Sequence, residues 1–272
     1  MIQRAFLQVF LWVLALTTLL PLWVMAVTSL LANAGQLGLD SLWPNWRQLT
    51  WNNYLEVWTQ GNFGVYFWNS LVITVVITAF NLVFDAMAAY ALARRELPLK
   101  GLVMTLILAK LMIPAAVLMV PTFILVRALG LYDSYLALIL PVLAETFGIF
   151  LLRQYMLSLP QELEEAARLE GAGDFRIFFT IIFPLTRPAL AVVAIHSVLV
   201  SWNAYLYPLI LTSSDAMRTL PLGLAFYRAS HSGVDAGHLM AGSMIASLPV
   251  VAAFLLFQRQ ILSGLTQGAV KG

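Results

Sequence analysis

The sequence predicts an all-α, polytopic membrane protein with six transmembrane helices and both termini in the cytoplasm. Composition gives the first reason: of 272 residues, 61% are hydrophobic and only 10% charged, against about 45–50% and 25% in a soluble domain. A mean hydropathy of +0.86 gives the second. The third is that the apolar residues fall into runs of about 20 or more, the length a helix needs to cross hydrocarbon. So few charges cannot cover the surface of a soluble fold. A soluble enzyme, a nucleic-acid binder and a disordered chain are excluded together. The net charge is +2, and the 15 Lys and Arg are spread along the chain without a nucleic-acid footprint. There is no cysteine, hence no disulfide, thiolate metal site or cysteine nucleophile.

Backbone in the hydrocarbon core must satisfy its own hydrogen bonds, so each apolar run is read as a helix. The spans run from Ala5 to Leu31, Val65 to Ala93, Leu102 to Val126, Tyr135 to Leu152, Ile182 to Leu211 and Leu239 to Leu262. Pro114 and Pro121 interrupt the third. The first resembles a signal peptide in having Arg4 before it and Ala32-Asn33-Ala34 after it. Its apolar stretch far exceeds the ~7–15 residues of a signal core, so it is read as an uncleaved helix. The chain divides into residues 1–64 (first helix and an external aromatic loop), residues 65–262 (a five-helix core) and a cytoplasmic tail at 263–272.

Loop charges set the orientation. Arg4, Arg94, Arg95, Lys100, Arg153, Arg168, Arg176, Arg187, Arg259 and Lys271 fall on the side of the termini, ten in all. Arg47, Arg127, Arg218 and Arg228 make four on the other. The excess places the termini in the cytoplasm. The external segment is rich in aromatics: Trp43, Trp46, Trp51, Tyr54, Trp58, Tyr66, Phe67 and Trp68. This composition suits a short segment floating in the outer interface, with a ligand-stacking platform as the alternative.

One strongly polar stretch, Ser158 to Ala172, separates the fourth and fifth spans. Ser158 and Gln161 have the spacing of a capping box, and Pro160 suits a first turn. Glu162, Glu164 and Glu165 complement the positive end of the helix dipole. Gly171 is placed to end the helix in a left-handed cap, and Asp174 to cap the next helix. Leu163, Ala166 and Ala167 give a small apolar face whose short side chains allow close approach by another protein. A solvated interfacial helix is the plainer alternative.

Glu165-Ala166-Ala167, Gly171, Ile181 and Pro184 follow the spacing E-A-A-x3-G-x9-I-x-L-P, with Phe183 in place of Leu. The end of the chain, Gly264 to Gly272, and the runs Asn69-Ser70-Leu71, Leu129-Gly130-Leu131 and Leu138 to Pro141 extend the pattern along the chain. Together they resemble the MalG-type permease subunit of carbohydrate ABC importers, an inner-membrane component of binding-protein-dependent transport. The resemblance implies a MetI-like fold in the bacterial inner membrane, forming half of a pore for a sugar or sugar-like solute. Glycerol-3-phosphate or another polyol is the alternative solute.

It also implies partners: a MalF-like second permease, a dimer of MalK-like ATPase subunits, and a periplasmic or lipid-anchored solute-binding protein. ATP and Mg would be bound by the ATPase, with no cofactor in this chain. Coupling to the ATPase falls to Glu164, Glu165, Ala166, Ala167, Gly171 and Ala172, and to Gln267, Gly268 and Lys271 of the tail.

No catalytic or metal constellation stands out. A phosphate-cradling G-x-x-x-x-G-K-[ST] loop, HExxH and GxSxG are all absent, and His196, His231 and His238 lack metal-ligand spacing. An intramembrane enzyme is disfavoured on these grounds; a channel or secondary transporter has no use for the polar helix. His196, Ser197, Ser201, Asn203 and Tyr205 are candidates to line the pore, although such residues also hold helices together. Asp85, Lys110 and Glu145 lie inside spans, roughly 12–14 Å from the cytoplasmic ends at 1.5 Å per residue. Intramembrane charges pair, so Lys110 is expected on Glu145 with Asp85 nearby.

Overall fold

A computed structural model describes residues 2–32, 43, 48–230 and 236–269. Its helices are α1 (Ile2–Ser29), α2 (Asn52–Gln60), α3 (Phe63–Arg94), α4 (Lys100–Met112), α5 (Ala115–Ala128), α6 (Tyr135–Ile139), α7 (Thr146–Leu157), α8 (Glu162–Leu169), α9 (Asp174–Ile177), α10 (Phe183–Leu185), α11 (Arg187–Trp202), α12 (Leu206–Leu211), α13 (Leu220–Ser230) and α14 (Ala236–Ala269). Among the described residues, Phe6–Ser29, Phe63–Arg94, Tyr135–Leu157 and Ala236–Leu255 are long and apolar enough to span. Two bent pairs, 100–128 and 174–202, bring the number to six when each is taken as one span.

The bends have local causes. At Pro114 the chain turns by 106° between α4 and α5. Ile113 is extended at φ −90°, ψ 117°, because the proline ring disfavours helical geometry at the residue before it. Pro121 lies within α5 without ending it. The fifth span, expected as one helix, turns by 79°. Residues 178–182 form a π-turn, and Pro188 has no N–H to bond the carbonyl of residue 184. Buried Thr186 sits at the corner, its hydroxyl donating to the carbonyls of Ile182 (3.0 Å) and Phe183 (2.9 Å).

The chain forms two compact units: Met1–Trp68 with Thr219–Pro249, and Asn69–Arg218 with Val250–Gly272. This grouping cuts across a division at residue 64, because side chains early in the chain pack on later glycines. In the first unit, Gly223 faces the Tyr66 ring, Gly242 faces Phe63, and Gly237 faces the Asn53 amide. Asn53 is buried and donates to the carbonyls of Ser29 (2.9 Å) and Leu31 (2.8 Å), fastening α2 to the end of α1. Trp51, just before α2, and Leu55 and Trp58 on it remain exposed, an arrangement that suits an interfacial helix. His238 pairs with Glu56 at 2.7 Å. Trp46 and His231 lie outside the described residues.

Two apolar clusters of described residues lie in the second unit. One joins Ala86, Ala89 and Tyr90 of α3, Leu152 and Met156 of α7, Ala167 of α8, Ile177 of α9, and Ala189, Leu190 and Val193 of α11. The two alanines on α3 allow neighbouring backbones to approach closely, the usual solution where lipid offers no hydrophobic drive. The other joins Ile73 and Ile77 of α3, Val126 of α5, residues 137–139 of α6 and Leu211 of α12. The fourth span is broken between α6 and α7, and Glu145 is not helical but extended (φ −102°, ψ 126°) as the residue preceding α7.

Candidate functional site

Helix α8 carries the Glu-Ala-Ala residues, and its inner face explains its position. Glu164 is buried. Its carboxylate lies 3.2 Å from Arg94 Nε and 3.6 Å from Arg95 Nη2, and accepts from the Tyr90 hydroxyl at 3.1 Å. Arg94 also donates to the carbonyls of Met156 (2.7 Å) and Leu159 (2.5 Å). These are carbonyls at and just past the end of α7, where intrahelical donors run out. Arg95 bonds the Tyr90 hydroxyl, lies over its ring, and pairs with Asp174 at 3.0 Å. Asp174 also pairs with Arg168 at 3.2 Å. One carboxylate of α8 and two arginines at the end of α3 thus bind α3, α7, α8 and α9 together. An open cleft of about 470 Å³ beside them is lined by Arg94, Arg95, Gln161, Glu165, Arg168 and Asp174, among others.

Among the described residues, the outward face of α8 is left open. Glu165 and Ala166 are exposed and Leu169 is 91% exposed, whereas Ala167 is buried and Ala172 half-buried. Gly171 has φ +80°, the left-handed geometry that favours glycine. Two expected caps take another form. Ser158 ends α7, with its hydroxyl on the Tyr155 carbonyl (2.7 Å), and Gln161 precedes α8 without a side-chain cap. Asp174 is the first residue of α9, not its cap, because Arg95 and Arg168 claim its carboxylate.

A second polar centre sits at the α6–α7 break. Unwound backbone at membrane depth needs partners, and α3 supplies them from positions 81 and 85. With its amide nitrogen facing the break, Asn81 donates to the carbonyls of Leu143 (2.9 Å) and Val142 (3.1 Å), and it lies 3.3 Å from Ser197 Oγ. Asp85 Oδ1 accepts the Glu145 N–H at 2.9 Å. A Cβ added to Gly148 would collide with the Asp85 carboxylate. Glu145 Oε1 meets His196 Nε2 at 2.9 Å, and the imidazole packs on Phe147 with ring centroids 4.3 Å apart.

The expected Lys110–Glu145 pair is not what forms. Lys110 is exposed, and its one hydrogen bond among the described residues is to the Ala144 carbonyl, at 3.5 Å. The helix break explains the difference: it hands the Glu145 peptide N–H to Asp85 and turns the Glu145 carboxylate towards α11. The pore candidates also separate. Ser197 is buried against Asn81, Ser201 is half-buried, Asn203 is exposed with its amide on the Leu199 carbonyl (2.8 Å), and Tyr205 is 39% exposed. Gln267 and Gly268 fall near the end of α14, where only the backbone is described, and Lys271 lies outside the described residues.

At the opposite end of the second unit from Arg94, Asp133 (φ 59°) accepts the N–H groups of Ser213 (2.9 Å) and Ser214 (3.1 Å). Burial pushes its carboxyl up, but these hydrogen bonds outweigh burial and hold it below the usual carboxylate value. Asn69 ties the same end together, donating to the carbonyls of Ala216 (2.7 Å) and Arg218 (2.9 Å) and accepting from the Tyr135 hydroxyl (2.5 Å). Sequence reasoning did not single out Tyr90, Asn81 or the inward role of Arg94. The spacing of Asn81 and Asp85, four apart in an apolar span, was the available signal for the second centre.

Spans that break where they carry charge, above a polar helix held fast at the membrane edge, suit a subunit that moves solutes. The fold is that of a pore-forming transport permease. The chain belongs to the family of binding-protein-dependent transport system inner membrane components, which matches residues 86–265. It is 41% identical over 225 residues to the arabinooligosaccharides transport system permease protein AraQ of Halalkalibacterium halodurans, covering 82% of this chain and 80% of that one. It is 35% identical over 222 residues to the sn-glycerol-3-phosphate transport system permease protein UgpE of Yersinia enterocolitica, covering 79% of each.

Among solved structures it resembles a chain of a bacterial ABC transporter involved in the import of the acidic polysaccharide alginate. The TM-score is 0.83 and the identity 25%, over 95% of this chain and 96% of that one. The protein is therefore a multi-pass membrane permease of an ABC importer and not an enzyme. Such a permease works with an ATPase, a second permease and a solute-binding protein.

Proposed function

We propose that this chain forms half of the pore for a sugar or sugar-like solute in the bacterial inner membrane, with its termini in the cytoplasm. Its second permease is MalF-like and its ATPase dimer MalK-like, and the ATPase binds the ATP and Mg that drive transport. The relatives named for arabinooligosaccharides and alginate support a carbohydrate solute; the one named for glycerol-3-phosphate keeps a phosphorylated polyol as the second reading.

The observation that carries the coupling mechanism is the buried Glu164 with its two arginines. A docked helix on a flexible loop would absorb the displacement of an ATPase. Here Glu165 and Ala166 face outwards for docking while Glu164 and Ala167 face the bundle, so displacement of α8 carries α3, α7 and α9 with it. Gly171 lets the chain reverse into α9 without strain, and Ala172 packs beside it. Tail residues Gln267, Gly268 and Lys271 are assigned a second contact with the ATPase. The pore then alternates between two states, biased by nucleotide.

The test is reconstitution of the complete importer in liposomes with a panel of labelled neutral oligosaccharides and glycerol 3-phosphate. ATP-dependent uptake of a sugar that disappears when this chain is left out is expected. Uptake by the chain alone without ATP would contradict the assignment.

A further inference from the structure

The polar groups at the α6–α7 break divide into two kinds. Asn81, Asp85 and Ser197 are buried, and they hold backbone or one another. Glu145 and His196 touch each other, yet their side chains stay 27% and 35% exposed. A lock between helices would be enclosed like the first kind. In the chain taken alone this pair is left open within a span; such groups avoid hydrocarbon, face the interior of the assembled bundle and mark solute and ion pathways. We propose that Glu145 and His196, backed by Phe147, form a solute-contacting specificity site in the translocation path that takes neutral, hydroxyl-rich solutes and turns away anionic ones. This rests on the sugar-importer reading and deepens it.

The chemistry follows from what each atom has left to offer. His196 Nε2 engages Glu145 Oε1. Glu145 Oε2 and His196 Nδ1 have no hydrogen-bond partner among the described residues, and the side chains that carry them are partly exposed. A carboxylate oxygen accepts from a hydroxyl; an imidazole nitrogen accepts or donates according to its tautomer. Hydroxyls do both, so adjacent hydroxyls on one sugar ring match adjacent atoms of the pair. Phe147, half-buried beside the imidazole, offers an apolar face to ring C–H groups.

Charge sets the selectivity. Asp85 stands directly behind, its Oδ1 on the Glu145 N–H and its buried Oδ2 without a partner. Against these two carboxylates stands Lys110, with its ammonium at the Ala144 carbonyl, and the imidazole already bonded to Glu145. A phosphate or uronate would have to approach the partly exposed Glu145 carboxylate, whose one ion-pair partner among the described residues is His196. The site is set by Asp85 and Asn81 acting as positioning residues, since they fix the peptide from which Glu145 projects.

The test compares wild-type importer with Glu145→Gln, His196→Gln and His196→Leu in proteoliposomes holding both permeases, the ATPase and the binding protein. The probes are labelled arabinotriose, maltotriose and trehalose, with glycerol 3-phosphate as the anion, and uptake is expressed per ATP hydrolysed by assembled complex. Wild type should import at least one neutral probe and exclude glycerol 3-phosphate. Glu145→Gln and His196→Leu should lower neutral uptake per ATP at least ten-fold, and His196→Gln, which keeps hydrogen-bonding capacity, less than His196→Leu. Wild-type uptake per ATP in all three variants, with a neutral sugar carried, overturns the site and leaves the sugar reading standing. A wild type that imports none of the neutral probes overturns both.

Discussion

Two carboxylates in the same compact unit are treated in opposite ways. Glu164, at the membrane edge, is buried between two arginines and a tyrosine hydroxyl. Glu145, within the span, meets one histidine and stays partly open. Both sit where a helix starts and both draw on α3, through Arg94 and Arg95 in one case and Asp85 in the other. The difference teaches that this chain encloses one carboxylate among cations where four helices are joined, and leaves the other partly open where a span unwinds. A closed network resists deformation because every member is costly to expose; an open pair exchanges partners.

The comparison breaks first at Glu164. Glu164→Ala leaves Arg94 and Arg95 without their buried partner, and removing one side of such a pair costs about 3–5 kcal/mol. Heat denaturation of the detergent-solubilised complex should show the lower midpoint, with a smaller loss for Glu164→Gln, which keeps an acceptor for Tyr90. Equal stability in both variants would mean that the arginines are satisfied elsewhere.

Next comes the seam behind Glu145. Gly148→Ala puts a methyl group into the Asp85 carboxylate, an overpacking of about 1–3 kcal/mol. It should displace the Glu145 peptide and lower solute uptake more than it lowers assembly. An alanine variant with wild-type uptake would show that the break tolerates movement.

A smaller effect belongs to Gly171, whose φ of +80° costs a residue with a Cβ about 1–2 kcal/mol. Because no atom beyond its chain neighbours lies within 4 Å of an added Cβ, Gly171→Val acts chiefly through backbone strain. ATP hydrolysis should persist while uptake falls, since the exit from α8 is distorted and the Glu164 anchor is not.

The smallest effect sharpens the contrast from outside the membrane. The Asp133 carboxyl is held below its unfolded value. Its stabilisation is therefore complete above the unfolded pKa of about 4, and is lost as pH falls through the folded pKa. Thermal midpoints of wild type and Asp133→Asn should differ slightly at neutral pH and converge in acid. A difference that persists at low pH would assign the hydrogen bonds, not the charge, as the cause.

Much of this was legible in the sequence, for identifiable reasons. Length and hydropathy located the spans, and Gly171 announced its left-handed cap because only glycine is at ease there. Pro114 marked a real break for the same kind of reason, a local steric rule. The capping box at Ser158 and Gln161 satisfied its pattern yet did not form, because α7 continues to Leu157 and uses Ser158 to finish itself. Lys110 and Glu145 were at matching depth, which fixes height but not azimuth. The fourth span unwinds before Glu145, and no periodicity assuming a straight helix predicts where its carboxylate turns. His196 appeared as a polar residue in a span; its partner comes from 51 positions away, and linear spacing carries no such information.

Under the proposed coupling, α8 is a firmly anchored helix whose outward face transmits ATPase motion. Ala166 tests it most directly, because it is exposed on that face and lies outside the Glu164 network. With Ala166→Phe, the solute imported per ATP hydrolysed in the reconstituted importer should fall at least ten-fold, while the chain inserts and its thermal midpoint stays at the wild-type value. An unchanged ratio of solute to ATP would contradict the claim.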